Sequence, residues 1–271
     1  MNSRFLTHDG ACLRNEVFSR TAVAFLKLLT SATLTLAVAT LPSVAQAPSV
    51  GQLYSYTVKD KPSFEEGYRR HLSWHAATND QLVWYAWTIE SGPRKGSFID
   101  GTFGAAFYQL DARPDPKGDG ADFVRNVAPY VAPVDVETWT LWPAPSIATP
   151  LEDRKPGTTI DVFFLQIEPG EMISFEAAVE RLAAKKRNSP FLTWYKVVHG
   201  ADASAYVLML TRANFAELES AGSGLVGMLR NAYGTDSAQL ENVLKFVRSF
   251  RSETWSYQPR LALIPGRALE P

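Results

Sequence analysis

Apolar and polar positions along the chain follow the period of a strand in some stretches and the period of a helix in others. Residues 53–58, LYSYTV, alternate and are rich in aromatic and β-branched side chains, which is the pattern of a half-buried strand. Apolar residues then recur at helical spacing from Phe64 to Ala76, behind Ser63, a favoured N-cap residue. This spacing predicts a helix over residues 63–77.

The same periodicities predict the remaining elements of both halves. The first half continues with strands over residues 82–90, 97–110 and 134–141 and a helix over residues 121–130. The second half has strands over residues 160–167, 191–198, 205–211 and 252–257 and helices over residues 174–186 and 237–250. Both halves therefore share the predicted order β-α-β-β-α-β, with an expanded second helical region in the later half.

Three short sequence motifs recur in both halves in the same order. The pairs begin at residues 63 and 174 for SFE, 84 and 194 for WY, and 137 and 253 for ETW. Their offsets are 111, 110 and 116 residues, so the insertions between them are small. Because a recurrence of this length is too long for a solenoid unit, it predicts a duplicated domain. The predicted segments are a signal peptide at 1–47, a first repeat at 48–146, a Pro-rich linker at 147–158 and a second repeat at 159–271.

The β-α-β-β-α-β order is the ferredoxin-like arrangement, an antiparallel sheet with two helices on one face. The other face of each sheet needs cover, and two such sheets in one chain can cover each other. In element order and in its repeated SFE, WY and ETW motifs, the chain resembles the dimeric α+β barrel superfamily over residues 50–265. We therefore predict an α+β fold of two tandem ferredoxin-like repeats packed sheet to sheet as an α+β barrel.

The N-terminal region has the pattern of an export signal. Arg14, Arg20 and Lys27 precede an apolar run over residues 28–44, and residues 45–47, Ala-Gln-Ala, close it. We predict cleavage after Ala45 and a periplasmic or extracellular protein, with a retained membrane anchor as the alternative. The single cysteine, Cys12, lies in this leader, so the mature chain has no thiol for a disulfide, a nucleophile or zinc binding.

The charge balance argues against a nucleic-acid partner. Cleavage after Ala45 removes four basic and two acidic residues, which leaves 23 basic and 26 acidic residues and a net charge of −3. Nucleic-acid binding needs clustered positive charge to meet the phosphates, and no basic tail or stripe is present. We expect no nucleic-acid partner and no membrane association after cleavage, and the oligomeric state stays open.

Two histidines on the predicted helix 63–77 are candidates for chemistry. His71 and His75 are four residues apart and share one helix face, a spacing that can present two imidazoles to one metal or to a substrate. Two ligands alone do not specify a metal site, and an ordinary packed or solvated pair is the simpler interpretation. The corresponding positions in the second half are Leu182 and Lys186. No metal ligand set is assigned from the sequence.

Several large aromatic residues lack a counterpart in the second half. Such side chains can line a pocket for an apolar or ring-shaped ligand, although core packing is the simpler explanation. Three of these aromatic residues are tryptophans. Together with the two histidines they are the predicted ligand-binding residues: His71, Trp74, His75, Trp87 and Trp142.

Other motifs give no positive support for an activity. The Asp-rich stretch over residues 111–122 invites a calcium loop, but Lys117 stands where an oxygen ligand is needed and no Glu closes the loop. Residues 92–96, GPRKG, lack the Lys-Ser/Thr ending of a phosphate loop and predict a hairpin turn. No Gly-x-Ser-x-Gly elbow is present, so no catalytic residue is assigned.

These observations favour an exported protein that binds a small apolar or aromatic molecule. The superfamily that the chain resembles includes cofactor-independent monooxygenases, haem-dependent enzymes and members without known activity. The resemblance therefore implies, as an alternative, a cofactor-independent or haem-dependent oxidoreductase using His71 or His75. A structural or assembly protein without a ligand is the third hypothesis. No cofactor is predicted, haem is the alternative left open, and enzymatic activity is not decided.

Overall fold

The computed structural model describes residues 49–185, 192–200, 205–214, 216–217, 224–234 and 236–270. The signal peptide predicted at 1–47 lies outside these residues, so cleavage and export remain predictions. In the described part of the chain, no helix is both long and apolar enough to cross a membrane.

Across the described residues, eight strands form one closed antiparallel barrel in the order β1-β3-β2-β8-β5-β7-β6-β4. Their bounds are β1 Val50–Val58, β2 Tyr85–Ser91, β3 Phe98–Ala105, β4 Val131–Leu141, β5 Thr159–Ile167, β6 Leu192–His199, β7 Ala205–Arg212 and β8 Val247–Tyr257. Closure leaves no unpaired strand edge around this barrel.

The helices lie in the connections between these strands. Their bounds are α1 Lys61–Ala77, α2 Phe107–Asp111, α3 Pro116–Asn126, α4 Met172–Ala183, α5 Gly224–Tyr233 and α6 Ser237–Leu244. Short 3₁₀ turns follow at Ala128–Tyr130 and Pro259–Leu261.

The predicted packing of two ferredoxin-like sheets face to face is wrong. β2 pairs with β8 and β4 pairs with β6, so strands from the two halves share hydrogen bonds and the sheet closes on itself. Two separate sheets would each leave rows of unpaired N–H and C=O groups at their edges, and closure pairs these groups. The apolar pattern identifies buried faces but contains no information about which edge strands pair.

Several element boundaries also differ from those predicted. The strand predicted over 97–110 ends at Ala105 and continues as α2. The helix predicted over 121–130 begins at Pro116, because Asp115 caps it by accepting a hydrogen bond from Gly118 N (2.9 Å) and Pro116 fits the first turn. The last helix ends at Leu244 and gives way to β8 at Val247.

Large side chains fill the interior of the barrel. Alternate residues of all eight strands point inward, and the largest include Trp87, Phe103, Trp139, Tyr195 and Trp255, each almost fully buried. The rings of Trp139 and Trp255 stack with centroids 6.4 Å apart at the centre. The interior is therefore a packed core.

The two Glu-Thr-Trp motifs place charge inside one end of this core. Glu137 accepts a hydrogen bond from the indole of Trp139 (2.9 Å) on β4. Glu253 and Trp255 repeat this contact on β8 (2.8 Å). Arg94 binds both oxygens of Glu253 at 2.9 Å and lies 3.6 Å from Glu137. One partly buried guanidinium therefore serves two buried carboxylates, which satisfies the requirement that buried charges be paired.

Helices cover the outer surface of the barrel in two groups. α1 and α3 pack over the first half, where Tyr56, Phe64, Tyr68 and Phe98 belong to one apolar cluster. α4, α5 and α6 pack over the second half, in a larger apolar cluster. The polar residues of the first half meet where α1 contacts α3.

Gly67 permits the close approach of α1 to α3. A Cβ atom at this position would lie 1.9 Å from the carbonyl oxygen of Asn126 at the end of α3. Only a residue without a side chain fits such a contact. The approach brings one face of α3 against His71 and His75 of α1.

Candidate functional site

His71 and His75 point from α1 toward Asp119 of α3. Both imidazoles are buried, and their ring centroids are 4.7 Å apart. The Nε2 atom of each ring lies 3.4 Å from Oδ1 of Asp119. One ligand atom from each of the three side chains falls within 4.8 Å of the others, so the set can converge on a single ion.

The opposite ring nitrogens are held by two other carboxylates. His71 Nδ1 lies 2.9 Å from Asp122 Oδ1, and His75 Nδ1 lies 2.8 Å from Asp80 Oδ2. A carboxylate in this position favours the tautomer with the proton on Nδ1 and leaves the Nε2 lone pair free. Metal-binding histidines are oriented by the same kind of contact.

Further hydrogen bonds hold these outer carboxylates in place. Asp80 also accepts bonds from Leu82 N (2.9 Å) and from the indole of Trp84 (3.1 Å). Burial raises the pKa of Asp80, but these bonds and the one with His75 outweigh it and lower the pKa below its ordinary value. Burial lowers the pKa of His71, and the hydrogen bond with Asp122 offsets part of this effect. A neutral imidazole is the form that binds metal.

A cavity of about 280 Å³ opens beside these residues, between the helices and the outer face of the sheet. Its aromatic walls are formed by Tyr54, Tyr56, Tyr68, Trp84 and Phe123. Its polar lining includes His71, His75, Asp119, Asp100, Arg113 and Asp135. Aromatic walls with a few convergent polar groups are typical of small-molecule sites.

Asp100 on β3 presents a free carboxylate oxygen in this lining. The residue is 4% exposed, and its Oδ2 accepts a hydrogen bond from the Tyr68 hydroxyl (2.8 Å). Its Oδ1 has no hydrogen-bond partner among the described residues. Burial raises the pKa of Asp100 to about 7, the Tyr68 bond lowers it in part, and the charge of Asp119 raises it.

A β-bulge lies at the edge of the cavity. Ser55 of β1 faces Asp135 of β4, whereas Tyr56 faces Pro133, so Val134 is the extra residue on β4. Proline cannot donate to the sheet, and bulges accommodate it. The bulge places Pro133 and Asp135 together in the cavity wall.

The structure brings together three of the five predicted ligand-binding residues. His71 and His75 line the cavity, and Trp74 packs against both rings, stacked on His71 at 6.3 Å and edge-on to His75 at 5.2 Å. Trp87 lies inside the barrel. Trp142 packs in the second-half core and donates its indole N–H to Glu180 (3.3 Å). A ligand-binding role for these residues remains a prediction.

Sequence reasoning missed the acidic residues that surround the histidines. Asp119 and Asp122 are three apart on α3 and so share a face, but the helix predicted over residues 121–130 includes Asp122 alone and leaves Asp119 in a loop. The dipeptide Asp115-Pro116 is a helix-start signal that would have placed them on a helix. Asp80 and Asp100 carry no local signal, because their roles depend on contacts between distant segments.

Comparison with known proteins identifies the fold only. No family model matches the chain, and no curated protein matches it. A candidate monooxygenase from Lactobacillus acidophilus shares the fold at 11% identity, over 78% of this chain and 94% of its own, with a TM-score of 0.50. A candidate monooxygenase from Fusobacterium nucleatum gives 8% identity, 78% and 93% coverage and the same TM-score. A candidate chlorite dismutase gives 9% identity, 78% and 95% coverage and a TM-score of 0.45.

The two structures with a TM-score of 0.50 support the predicted resemblance at the level of the fold alone. The tandem duplication within the chain stays a prediction, and the low identities give no information about this chain's activity.

Proposed function

We propose that this protein is a metal-dependent oxidoreductase that binds one divalent transition-metal ion through His71, His75 and Asp119. The single observation that carries the proposal is the convergence of both Nε2 atoms on Asp119 Oδ1, each at 3.4 Å. Two histidines and one carboxylate on one side of an ion form the ligand set of non-haem iron(II) oxygenases. Such an ion supplies open coordination positions for dioxygen and a substrate.

The surroundings support a binding site more than a chance cluster. Each imidazole is oriented by its own carboxylate, Asp122 or Asp80, as in established metal sites. The remaining oxygen of Asp119 accepts a bond from Arg113 (2.8 Å), which fixes the carboxylate. The three ligands line the cavity, so open positions on the ion would face a space that can admit a small molecule.

Haem fits these residues less well than a single ion does. Haem iron uses its four in-plane positions for the porphyrin and takes protein ligands only on opposite faces. His71 and His75 approach one point from adjacent positions on one helix, so they would be neighbouring ligands rather than opposite ones. The haem alternative is therefore replaced in this proposal by a mononuclear ion.

A zinc enzyme is the second candidate function. Ligand atoms ~2.1 Å from a tetrahedral zinc ion are about 3.4 Å apart, which is the spacing between each Nε2 and Asp119. Catalytic zinc sites use three protein ligands and one open position. In that case the ion would act as a Lewis acid on the bound molecule.

The test of metal binding uses the purified protein stripped with a chelator. Titration with iron(II) without oxygen, and separately with zinc(II), should show one tight equivalent. His71→Ala, His75→Ala and Asp119→Ala should each abolish it, whereas His199→Ala, an exposed histidine at the end of β6, should bind as the unaltered protein does. Equal binding by all four variants, or no binding by the unaltered protein, contradicts the proposal.

A second measurement on the same purified protein distinguishes the iron hypothesis from the zinc hypothesis. Nitric oxide added to the iron(II) form should give the electron paramagnetic resonance signal of an iron nitrosyl, because an open position can accept a dioxygen surrogate. Retention of zinc alone during purification, with no nitrosyl signal, favours the zinc enzyme.

We also propose that the protein is exported before it functions. This part of the proposal rests on the pattern of the leader sequence alone. Mass spectrometry of the protein recovered outside the cytoplasm should give an N-terminus at Gln46. An intact N-terminus at Met1 contradicts this part.

A further inference from the structure

We propose that the cavity recognises a hydroxylated aromatic ring, and that Asp100 accepts the hydrogen bond from its hydroxyl group. This inference rests on the proposed function in that it names the class of molecule held beside the metal ligands. It concerns a different residue, on a different strand, and has its own observations.

The first observation is the unpaired oxygen of Asp100. The carboxyl group is buried, and no cation of the described residues lies within ion-pair distance of it. Tyr68 donates to Oδ2 only, and Oδ1 lacks any partner in the part of the chain that the structure describes. Leaving a buried acceptor unmatched is costly, so such a group in a cavity wall requires an explanation, and a bound molecule that donates a hydrogen bond to it provides one.

The second observation is the rigidity of the group. Asp100 lies in the middle of β3, where it faces Tyr54 of β1 and Ala86 of β2. The Tyr68 hydroxyl fixes the rotation of the carboxylate from the side of α1. The carboxylate group is therefore held in one orientation in the cavity wall, which is what a recognition group requires.

The third observation is the shape and chemistry of the remaining wall. Tyr54, Tyr56, Trp84 and Phe123 provide aromatic surfaces on which a flat ring can pack. An apolar cavity of about 150 Å³ holds benzene, so about 280 Å³ has room for a single ring with substituents. An apolar ring alone would satisfy the walls but would leave Asp100 unpaired.

A hydroxyl group on the ring matches the carboxylate better than an anion or a cation does. Asp100 would repel a carboxylate or phosphate group placed against its free oxygen. A cationic ligand would be repelled by Arg113, which lines the same cavity, and by the metal ion proposed at Asp119. A neutral donor such as a phenol O–H meets the free oxygen without either conflict.

The experiment compares p-cresol with toluene, two molecules of similar size that differ by one hydroxyl group. Calorimetry should show that the metal-loaded protein binds p-cresol about 10- to 100-fold more tightly than toluene, the factor expected for one hydrogen bond to a charged group. Asp100→Asn should remove this preference by weakening p-cresol alone. Asp135→Asn is the matched control, because Asp135 also lines the cavity but already accepts a bond from Val136 N.

Two further variants keep the test decisive. Tyr68→Phe leaves the charge of Asp100 in place and should reduce the preference only about 2- to 5-fold, as expected when one orienting hydrogen bond is lost. His71→Ala should lose the metal but keep the preference for p-cresol, which separates this inference from the proposed function. Equal binding of p-cresol and toluene by the unaltered protein, or an unchanged preference in Asp100→Asn, overturns the inference even where metal binding is confirmed.

Discussion

The two helix-covered faces of the barrel have similar architecture but different side chains: the first encloses a cavity with charged residues, and the second packs an apolar cluster. In the first half, α1 directs His71 toward α3 and a cavity. The predicted repeat aligns His71 with Leu182, which α4 places in a continuous apolar core. The same alignment matches Gly67 of α1 with Ala178 of α4, which is also buried. The second face covers the barrel with an apolar cluster, so the barrel architecture does not by itself require the polar residues under the first face.

Charged side chains differ in solvent exposure between the two faces. In the second half, Glu176 receives the Tyr206 hydroxyl (2.7 Å) and Lys196 (2.6 Å) near the surface, where solvent reduces the cost of charge. In the first half, Asp80, His75 and Asp100 are nearly inaccessible to solvent. The second half also buries a charged pair, Arg212 with Asp161 (2.6 Å), whose opposite charges meet. The first half instead buries several carboxylates and imidazoles together beside a cavity, which is the arrangement expected of a functional site.

The largest expected effect comes from replacing His71 of the first face with leucine, the residue type at the matching position of the second face. His71→Leu removes one of three ligands, so metal affinity should fall by more than the 10- to 100-fold that loss of an outer carboxylate costs. The matched change, Leu182→His, introduces a buried imidazole without the carboxylates and should lower stability without creating a metal site. Metal titration and thermal unfolding of both variants provide the measurement. Undiminished affinity in His71→Leu would show that the faces do not differ in this function.

The second prediction concerns the pH dependence of stability. The pKa of Asp100 is raised from 3.8 to about 7 in the folded protein, so the folded state holds this proton more tightly than the unfolded state. Stability from this group is therefore present below pH 4 and is lost as the pH rises through 7, by about 2–4 kcal/mol. Asp100→Asn should remove that loss.

The control for this prediction is the difference between the two proteins at each pH. The groups that face Asp100 are Tyr68 from α1, Tyr54 and Tyr56 from β1, and Asp119 from α3, and all are present in both proteins. Denaturant unfolding between pH 4 and 8 should show Asp100→Asn gaining relative stability as the pH rises. Parallel curves over this range would mean that Asp100 does not titrate there.

The third prediction tests the close contact that assembles the first face. Gly67→Ala places a methyl group against Asn126 O, where 1.9 Å is available, and should cost about 1–3 kcal/mol through overpacking. The separation of α1 from α3 should also weaken metal binding, since Asp119 lies on α3. Gly120→Ala is the control, because no atom lies within 4 Å of its added Cβ. If Gly67→Ala binds metal and unfolds as the unaltered protein does, the helix contact is not what positions the ligands.

The residues show which features the sequence could predict. Alternation located the strands, and four-residue spacing placed His71 and His75 on one face of α1, because these patterns are local. Barrel closure depends on β2 meeting β8 and on β4 meeting β6, pairings between segments more than fifty residues apart that leave no local signal. Residues 116–126, PKGDGADFVRN, contain two glycines and few apolar residues, so their helical periodicity is weak and Asp119 was missed.

The smallest expected effect concerns the helix starts of the two faces. α3 begins with Asp115 accepting a bond from Gly118 N, whereas α4 begins after Glu171 with no side-chain cap. Asp115→Ala should therefore lower stability by about 1 kcal/mol, and Asp115→Ser should restore most of it. Glu171→Ala, the control, should change stability by less than about 0.5 kcal/mol.

This cap links helix stability to the metal ligand, because Asp119 lies in the first turn of α3. If that turn opens more often in Asp115→Ala, metal affinity should fall by up to about 5-fold, the factor that 1 kcal/mol allows. Reduced stability with unchanged affinity would mean that Arg113, bound to the second oxygen of Asp119, holds the ligand without the cap. The double variant Asp115→Ala with Arg113→Ala should then lose affinity that neither single change removes.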